Sequence, residues 1–321
     1  MEIGSYIELD LRSTGEYYDT DDTIRLNAAR GGIYHACKLY GVSGLYLPYY
    51  ICPSLTKFLQ MHGIRILYYH IDKNFEPQLS ENATDTAVLV VNYFGILSAG
   101  TLKRMAGRYT NVIVDNSQAF YSLPVEGCLN VYSPRKFFGV PDGCYLTGKA
   151  KYEVPVIYPR DNSSDTSGFL LKRIEKGCSA AYTDRMENEE RIDNSDIMQM
   201  SVLTRTLLAG IDYQGIKNRR RANFYLAHQI YESINLIDAA KYSDAECVPM
   251  VYPLVVRKTD MTDRLARANI YTGRWWKHVL SEVNKDSFEA FMSEFMIPLP
   301  IDQRYSEQEI RYVSDKIFAW M

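Results

Sequence analysis

Apolar runs alternate with helix-like segments through the first half of the chain. Gly44-Leu-Tyr-Leu-Pro48 reads as a short strand, and Arg65-Ile-Leu-Tyr-Tyr-His-Ile71, with its Ile and Tyr residues, as another. Ala87-Val-Leu-Val-Val-Asn-Tyr93 is a continuous apolar run between polar segments, as a strand buried on both faces requires. Asn111-Val-Ile-Val-Asp115 and Asn130-Val-Tyr-Ser133 follow. Between them, Gly31–Tyr40, Pro53–His62 and Thr101–Tyr109 are each long enough for a helix. This alternation predicts an α/β fold with a mainly parallel sheet and helices on both faces. In such sheets ligands sit beyond the carboxyl ends of the strands, where Asp115 and Tyr132-Ser133 fall.

The pattern changes near residue 150. Residues 158–168 are polar and turn-rich and predict a loop. Ile197, Met200, Thr204, Leu207, Leu208 and Ile211 fall on one face of a predicted helix. Phe224, Ala227, Ile230, Tyr231 and Ile234 do the same on a second. From Val248 the pattern mixes a strand at Met250–Val256, a helix at Asp260–Asn269 and a short strand at Ile270–Thr272. Ser306-Glu-Gln-Glu309 is a capping box that opens a last helix, with Ile310, Val313 and Ile317 as its apolar stripe. The chain divides on this reading into a large α/β domain (1–220) and a smaller C-terminal α+β domain (221–321).

The chain has 321 residues and a formal net charge of −3, which gives no sign of a nucleic-acid or membrane partner. Arg219-Arg220-Arg221 lies among helix-forming residues and reads as a solvated helix face or an interface. No apolar run reaches the roughly 18–20 residues that span a bilayer, and the first residues lack the apolar segment of a signal peptide. The six cysteines are scattered with no Cys-x-x-Cys pair, against a metal site or a disulfide framework. A cytoplasmic location is the expectation.

The chemistry concentrates in two runs, Val112-Ile-Val-Asp115-Asn-Ser-Gln118-Ala and Asn130-Val-Tyr-Ser133-Pro-Arg-Lys136-Phe-Phe-Gly139. They place a carboxylate at the end of one predicted strand and a lysine just past the next, 21 positions later. Pyridoxal 5′-phosphate needs such a pair: a lysine to form a Schiff base with its aldehyde, and a carboxylate to keep its pyridine nitrogen protonated. The charged ring is the better electron sink. A phosphate anchor is offered at Ala29-Arg30-Gly31-Gly32, where small residues lead into a helix and leave backbone N–H groups free at the positive end of its dipole. The Arg30 side chain could add a bidentate contact.

Four stretches together resemble the fold-type-I pyridoxal-phosphate enzymes, most closely the DegT/DnrJ/EryC1/StrS aminotransferases. They are Ala29–Ala36 with Leu47–Ser54, Val90-Val-Asn-Tyr-Phe-Gly95, Asp115-Asn-Ser-Gln118-Ala119, and Ser133–Gly139 with Asp142-Gly143. The resemblance implies a mainly parallel sheet of the seven-stranded type flanked by helices, and transfer of an amino group from an amino acid such as glutamate to a keto-sugar, free or nucleotide-linked. It implies Lys136 as the cofactor-bound lysine and general acid/base, and Asp115 as partner of the pyridinium. Gln118 would reach the cofactor's phenolic oxygen, Ser133 its phosphate, and Ala29, Arg30 and Gly31 the phosphate from the helix start. An aromatic ring usually stacks on the cofactor; Tyr50, Tyr93 and Phe94 are candidates. It also implies a homodimer with shared sites, contacts falling at Leu45–Ile51 and in the helices of 197–231. The chain departs from the family pattern at Ala29-Arg30, where a Gly-Ser/Thr pair is usual, and at Val131, where many members carry a phosphate-binding serine. Another reaction of the same fold (lyase, dehydratase or aldolase) and a non-catalytic binding protein stand as alternatives.

Overall fold

The structure is a computed structural model that describes residues 3–7, 9–148 and 158–321. The chain runs β1 (Ile24–Leu26), α1 (Ala29–Tyr40), β2 (Gly44–Pro48), α2 (Pro53–Met61), β3 (Arg65–Ile71), β4 (Pro77–Gln78), β5 (Thr86–Val91), α3 (Ala99–Ala106), β6 (Val112–Asn116), β7 (Leu129–Tyr132) and β8 (Cys144–Thr147). These eight strands form one sheet in the order β1-β8-β7-β6-β5-β2-β3-β4. Its centre, β3-β2-β5-β6-β7, is parallel; β8, β1 and β4 pair antiparallel at the two sides. Every residue of β5 and of β6 is buried, the signature of strands covered on both faces. The sheet therefore has one strand more than the seven-stranded expectation. Its extra length lies in short edge pieces of two or three residues, too brief to leave a periodic signal.

After β8 come α4 (Gly168–Ala180), α5 (Tyr182–Asn194), α6 (Val202–Ala209) and α7 (Tyr213–Tyr231). The pair α4 and α5 was not anticipated. Helix α5 reads Tyr-Thr-Asp-Arg-Met-Glu-Asn-Glu-Glu-Arg-Ile-Asp-Asn and buries only Asn188 and Ile192, so it carries no apolar stripe. The helix expected from Ile197 begins later. Residues 197–201 run extended, with Asn27 N–H on the Met198 carbonyl (2.8 Å), and Ser201 caps the start of α6 by accepting from Thr204 N–H. Burial of Ile197 and Met200 comes from this extended strap and not from a helical face.

The chain ends with β9 (Val251–Val255), α8 (Met261–Arg267), α9 (Val279–Glu282), α10 (Phe288–Phe295), β10 (Met296–Pro300) and α11 (Glu307–Trp320). Strands β9 and β10 form a separate antiparallel pair. The expected strand at Ile270–Thr272 is irregular, with no partner strand beside it among the described residues. The capping box at Ser306 and Glu309 is formed, the Ser306 N–H donating to the Glu309 carboxylate at 2.7 Å. Helix α7 runs unbroken through residues 220 and 221. Among the described residues no helix is long and apolar enough to cross a membrane.

Candidate active site

Parallel pairing brings the chain's candidate residues to one edge of the sheet. Strands β2, β5, β6 and β7 all end there. Tyr50 follows β2, Tyr93 and Phe94 follow β5, Asp115 is the last residue but one of β6, and Ser133–Lys136 follow β7. Asp115 pairs with Val91 on one side and Val131 on the other, so the carboxylate sits on the strand next to the one that delivers the lysine.

Each side chain has a definite environment. Asp115 is 8% exposed. Its Oδ1 accepts from Ser117 N–H at 2.8 Å, and no described residue engages Oδ2. Gln118, buried, accepts from Phe94 N–H through Oε1 at 2.9 Å, which leaves its NH2 as a free donor. Ser133 starts a single 3-10 turn, Pro134–Lys136, with its hydroxyl not used as a cap. Proline at the first position of that turn suits it, having no N–H to leave unsatisfied. Lys136 ends the turn, exposed, and its amine has no hydrogen-bond or ion-pair partner among the described residues.

Helix α1 begins beside the same edge. Ala28 is its N-cap and provides no side-chain cap, so the N–H groups of the first turn face outward unsatisfied by side chains. The helix lies close to the sheet because Gly32 has no side chain: a Cβ there would sit 2.7 Å from Cys144 Sγ and 3.3 Å from Val131. The side chain of Arg30 points elsewhere than expected. Its guanidinium donates to Asp193 (2.7 Å) and to the Ile192 carbonyl, and lies 4.8 Å from the Phe58 ring centre. It ties α1 to the end of α5, so at this helix start the backbone N–H groups, and not this guanidinium, stand open. Desolvation holds its pKa down despite Asp193.

Tyr50, Tyr93 and Phe94 are all buried in one aromatic cluster. Tyr93 donates its hydroxyl to the Tyr50 carbonyl (2.8 Å). Phe94 stacks on Trp275 (5.8 Å, 29°), and Trp276 meets Tyr50 edge-on (4.5 Å, 78°). The Tyr50 hydroxyl is buried without a partner among the described residues, and burial pushes its pKa well up. Phe94 and Trp276 both hold positive φ (58° and 53°), a costly state for bulky residues.

Three further residues shape the site without a site role predicted for them. Asn92 joins β5 to β6, donating to Asn116 Oδ1 (3.0 Å). Asp142 is fully buried and accepts from Ser201 N–H (3.0 Å), Ser201 Oγ (2.6 Å) and Thr204 Oγ1 (2.7 Å), so it anchors the loop after Lys136 to α6. Arg220, read with its neighbours as a solvated helix face or an interface, is 2% exposed and faces inward. Its spacing to Phe224, Ala227 and Tyr231 puts it on the buried stripe of α7, a signal available in the sequence.

The residues present fit a pyridoxal phosphate group. An unpartnered lysine amine, a carboxylate with one free oxygen, a free amide NH2, an uncapped helix start and an orphaned tyrosine hydroxyl gather at one sheet edge.

No protein-family model matches the chain, and no curated protein matches it. Solved structures do. The sugar aminotransferase CalS13 from Micromonospora echinospora superposes with a TM-score of 0.68 at 15% identity, over 94% of this chain and 88% of that one. A DegT DnrJ EryC1 StrS aminotransferase from Brucella abortus gives 0.60 at 12% identity, over 93% and 85%. The PLP-form of Spr1654, a sugar aminotransferase assignment from Streptococcus pneumoniae, gives 0.59 at 15% identity, over 94% and 89%. Over nearly its whole length, the chain has the fold of the DegT/DnrJ/EryC1/StrS aminotransferases.

Proposed function

We propose that this protein is a pyridoxal-phosphate-dependent aminotransferase that passes an amino group from an amino acid to a keto-sugar. The observation that carries the proposal is the placement of Asp115 and Lys136 at the ends of neighbouring parallel strands, beside the uncapped start of α1. The names of the structural neighbours support the sugar as substrate class.

When bound, pyridoxal phosphate supplies an aldehyde for amine exchange and a ring that takes up electron density from the carbon being deprotonated. Lys136 Nζ would hold it covalently, then take and return the migrating proton as general base and acid. Asp115 Oδ2 would hold a proton at the ring nitrogen. The Gln118 NH2 would donate to the phenolic oxygen. Ser133 Oγ and the N–H groups of Ala29, Arg30 and Gly31 would bind the phosphate; a helix start contributes roughly 0.3–1 kcal/mol per such charge when exposed and more when partly buried. Tyr50, Tyr93 and Phe94 would form the wall around the ring, and their packing against Trp275 and Trp276 would keep water from that side. The division into a cofactor-binding part (1–220) and a smaller part (221–321) belongs to this proposal, with α7 as the connecting helix.

Incubating the loaded protein with glutamate and other amino acids tests the reaction class. Stoichiometric conversion of the cofactor to pyridoxamine phosphate by a donor is expected; loss of carbon dioxide or water from the amino acid, without that conversion, would point to a lyase or dehydratase instead.

A homodimer with sites at its interface completes the reading, since paired subunits usually obey two-fold symmetry. The segment Leu45–Ile51 and the helices of 197–231 are the proposed contacts. Light scattering at micromolar concentration with cofactor present is expected to give about twice the 36.9 kDa chain mass; a monomer would remove the shared site.

A further inference from the structure

The turn that carries Lys136 is held from behind by a buried arginine. Arg220 Nη2 donates to the Phe137 carbonyl (3.4 Å), and its guanidinium carbon lies 4.5 Å from the centre of the Phe137 ring. Nη1 donates to the carbonyls of Pro249 (3.4 Å) and Met250 (3.1 Å), and Nε to Gln303 Oε1 (2.9 Å). Gln303 in turn donates to the same Phe137 carbonyl at 2.8 Å. One acceptor, on the residue next to the lysine, thus receives two donors that come from two distant segments.

The network reaches the other side of the site. Met250 N–H donates to the Phe94 carbonyl (2.8 Å), and Phe94 N–H donates to Gln118 (2.9 Å). Gln118, Phe94, Met250, Arg220 and Phe137 form one hydrogen-bonded chain from the candidate amide donor to the lysine turn. Asn223, one turn further along α7, fastens the loop that bears Gln303 by donating to the carbonyls of Ile301, Asp302 and Tyr305.

Arg220 makes no ion pair among the described residues, although Asp302 lies near enough to favour its charge. Burial lowers its pKa to about 10, so it stays charged at neutral pH. A buried cation without a hydrogen-bonded carboxylate is expensive. A planar fork that reaches four acceptors on three segments is what arginine offers and lysine does not.

We propose that Arg220, together with Gln303, is a positioning residue for Lys136: it fixes the peptide after the lysine and holds the amine in register with Asp115 and Gln118. The proposal rests on the reading that Lys136 carries the cofactor. A plain staple between α7 and the sheet would predict global destabilisation and nothing special at the turn.

The peptide unit of the Phe137 carbonyl is planar and includes the Phe138 N–H, which bonds to Pro134. Loosening the carbonyl therefore frees that amide, and hydrogen exchange of a peptide covering 133–140 reads it in cofactor-free protein. Gln303→Leu, Arg220→Lys and Arg220→Met are compared with wild type by this exchange, by thermal unfolding, and by the pH titration of the visible absorbance of lysine-bound cofactor. We expect roughly three- to tenfold faster exchange at 133–140 in Gln303→Leu, as loss of one ordinary hydrogen bond implies. The absorbance midpoint should also shift, and Arg220→Lys should fail to restore either property. If Arg220→Met does not fold, Gln303→Leu decides. Wild-type exchange at the turn with an unmoved midpoint in Gln303→Leu would overturn the proposal. A wild-type protein without that absorbance would overturn the functional reading instead, and the exchange result would still report on the clamp.

Discussion

Lys136→Ala is expected to abolish covalent cofactor binding and to lower transamination by roughly 10²–10⁴-fold or more, the range associated with general acid–base catalysis alone. The substitution should leave the fold intact. Lys136 is exposed and its amine bonds to no described residue, so its removal resembles an ordinary surface change within about 0.5 kcal/mol. Stability and cofactor binding should therefore separate cleanly. Thermal unfolding of cofactor-free protein should match wild type, while the visible absorbance of the lysine-bound cofactor should vanish. An alanine variant that retains both the absorbance and turnover would place the chemistry on another lysine.

Asp115→Asn is expected to keep the fold and much of the cofactor yet to slow the half-reaction with an amino donor by about a hundredfold or more. The asparagine oxygen can still accept from Ser117 N–H, so the local bond that shapes the end of β6 survives. What is lost is the full negative charge at Oδ2. Charge-assisted hydrogen bonds are roughly twice as strong as neutral ones, and each 1.36 kcal/mol lost from a transition state is about tenfold in rate. A merely structural Asp115 predicts the opposite pattern, with altered stability and nearly unchanged turnover. Measuring the rate of pyridoxamine phosphate formation beside the unfolding temperature distinguishes the two.

Much of this arrangement is legible in the sequence, for a physical reason. Strands buried on both faces must be apolar throughout, so Ala87–Val91 and Val112–Val114 announce themselves, and a parallel sheet places whatever follows such runs at a common edge. Asp115, Ser133 and Lys136 group on that basis, and the family resemblance adds Gln118. Side-chain partnerships were not legible. Arg30 finds Asp193, which is 163 residues away on a helix whose polar composition hides it. The extended strap at 197–201 imitates a helical face because its buried Ile197 and Met200 share the spacing of helical neighbours. Arg220 was obscured by the two arginines beside it, although its helical register with Phe224 and Tyr231 marks it as inward-facing. The residues that set the site up from a distance are the ones that composition alone misplaces.

Protein purified with pyridoxal phosphate is reduced with borohydride, digested, and each peptide weighed. Cofactor mass on the peptide that contains Lys136, and its absence there after Lys136→Ala, is the predicted result. An unmodified Lys136 peptide from fully loaded wild-type protein would contradict the central claim.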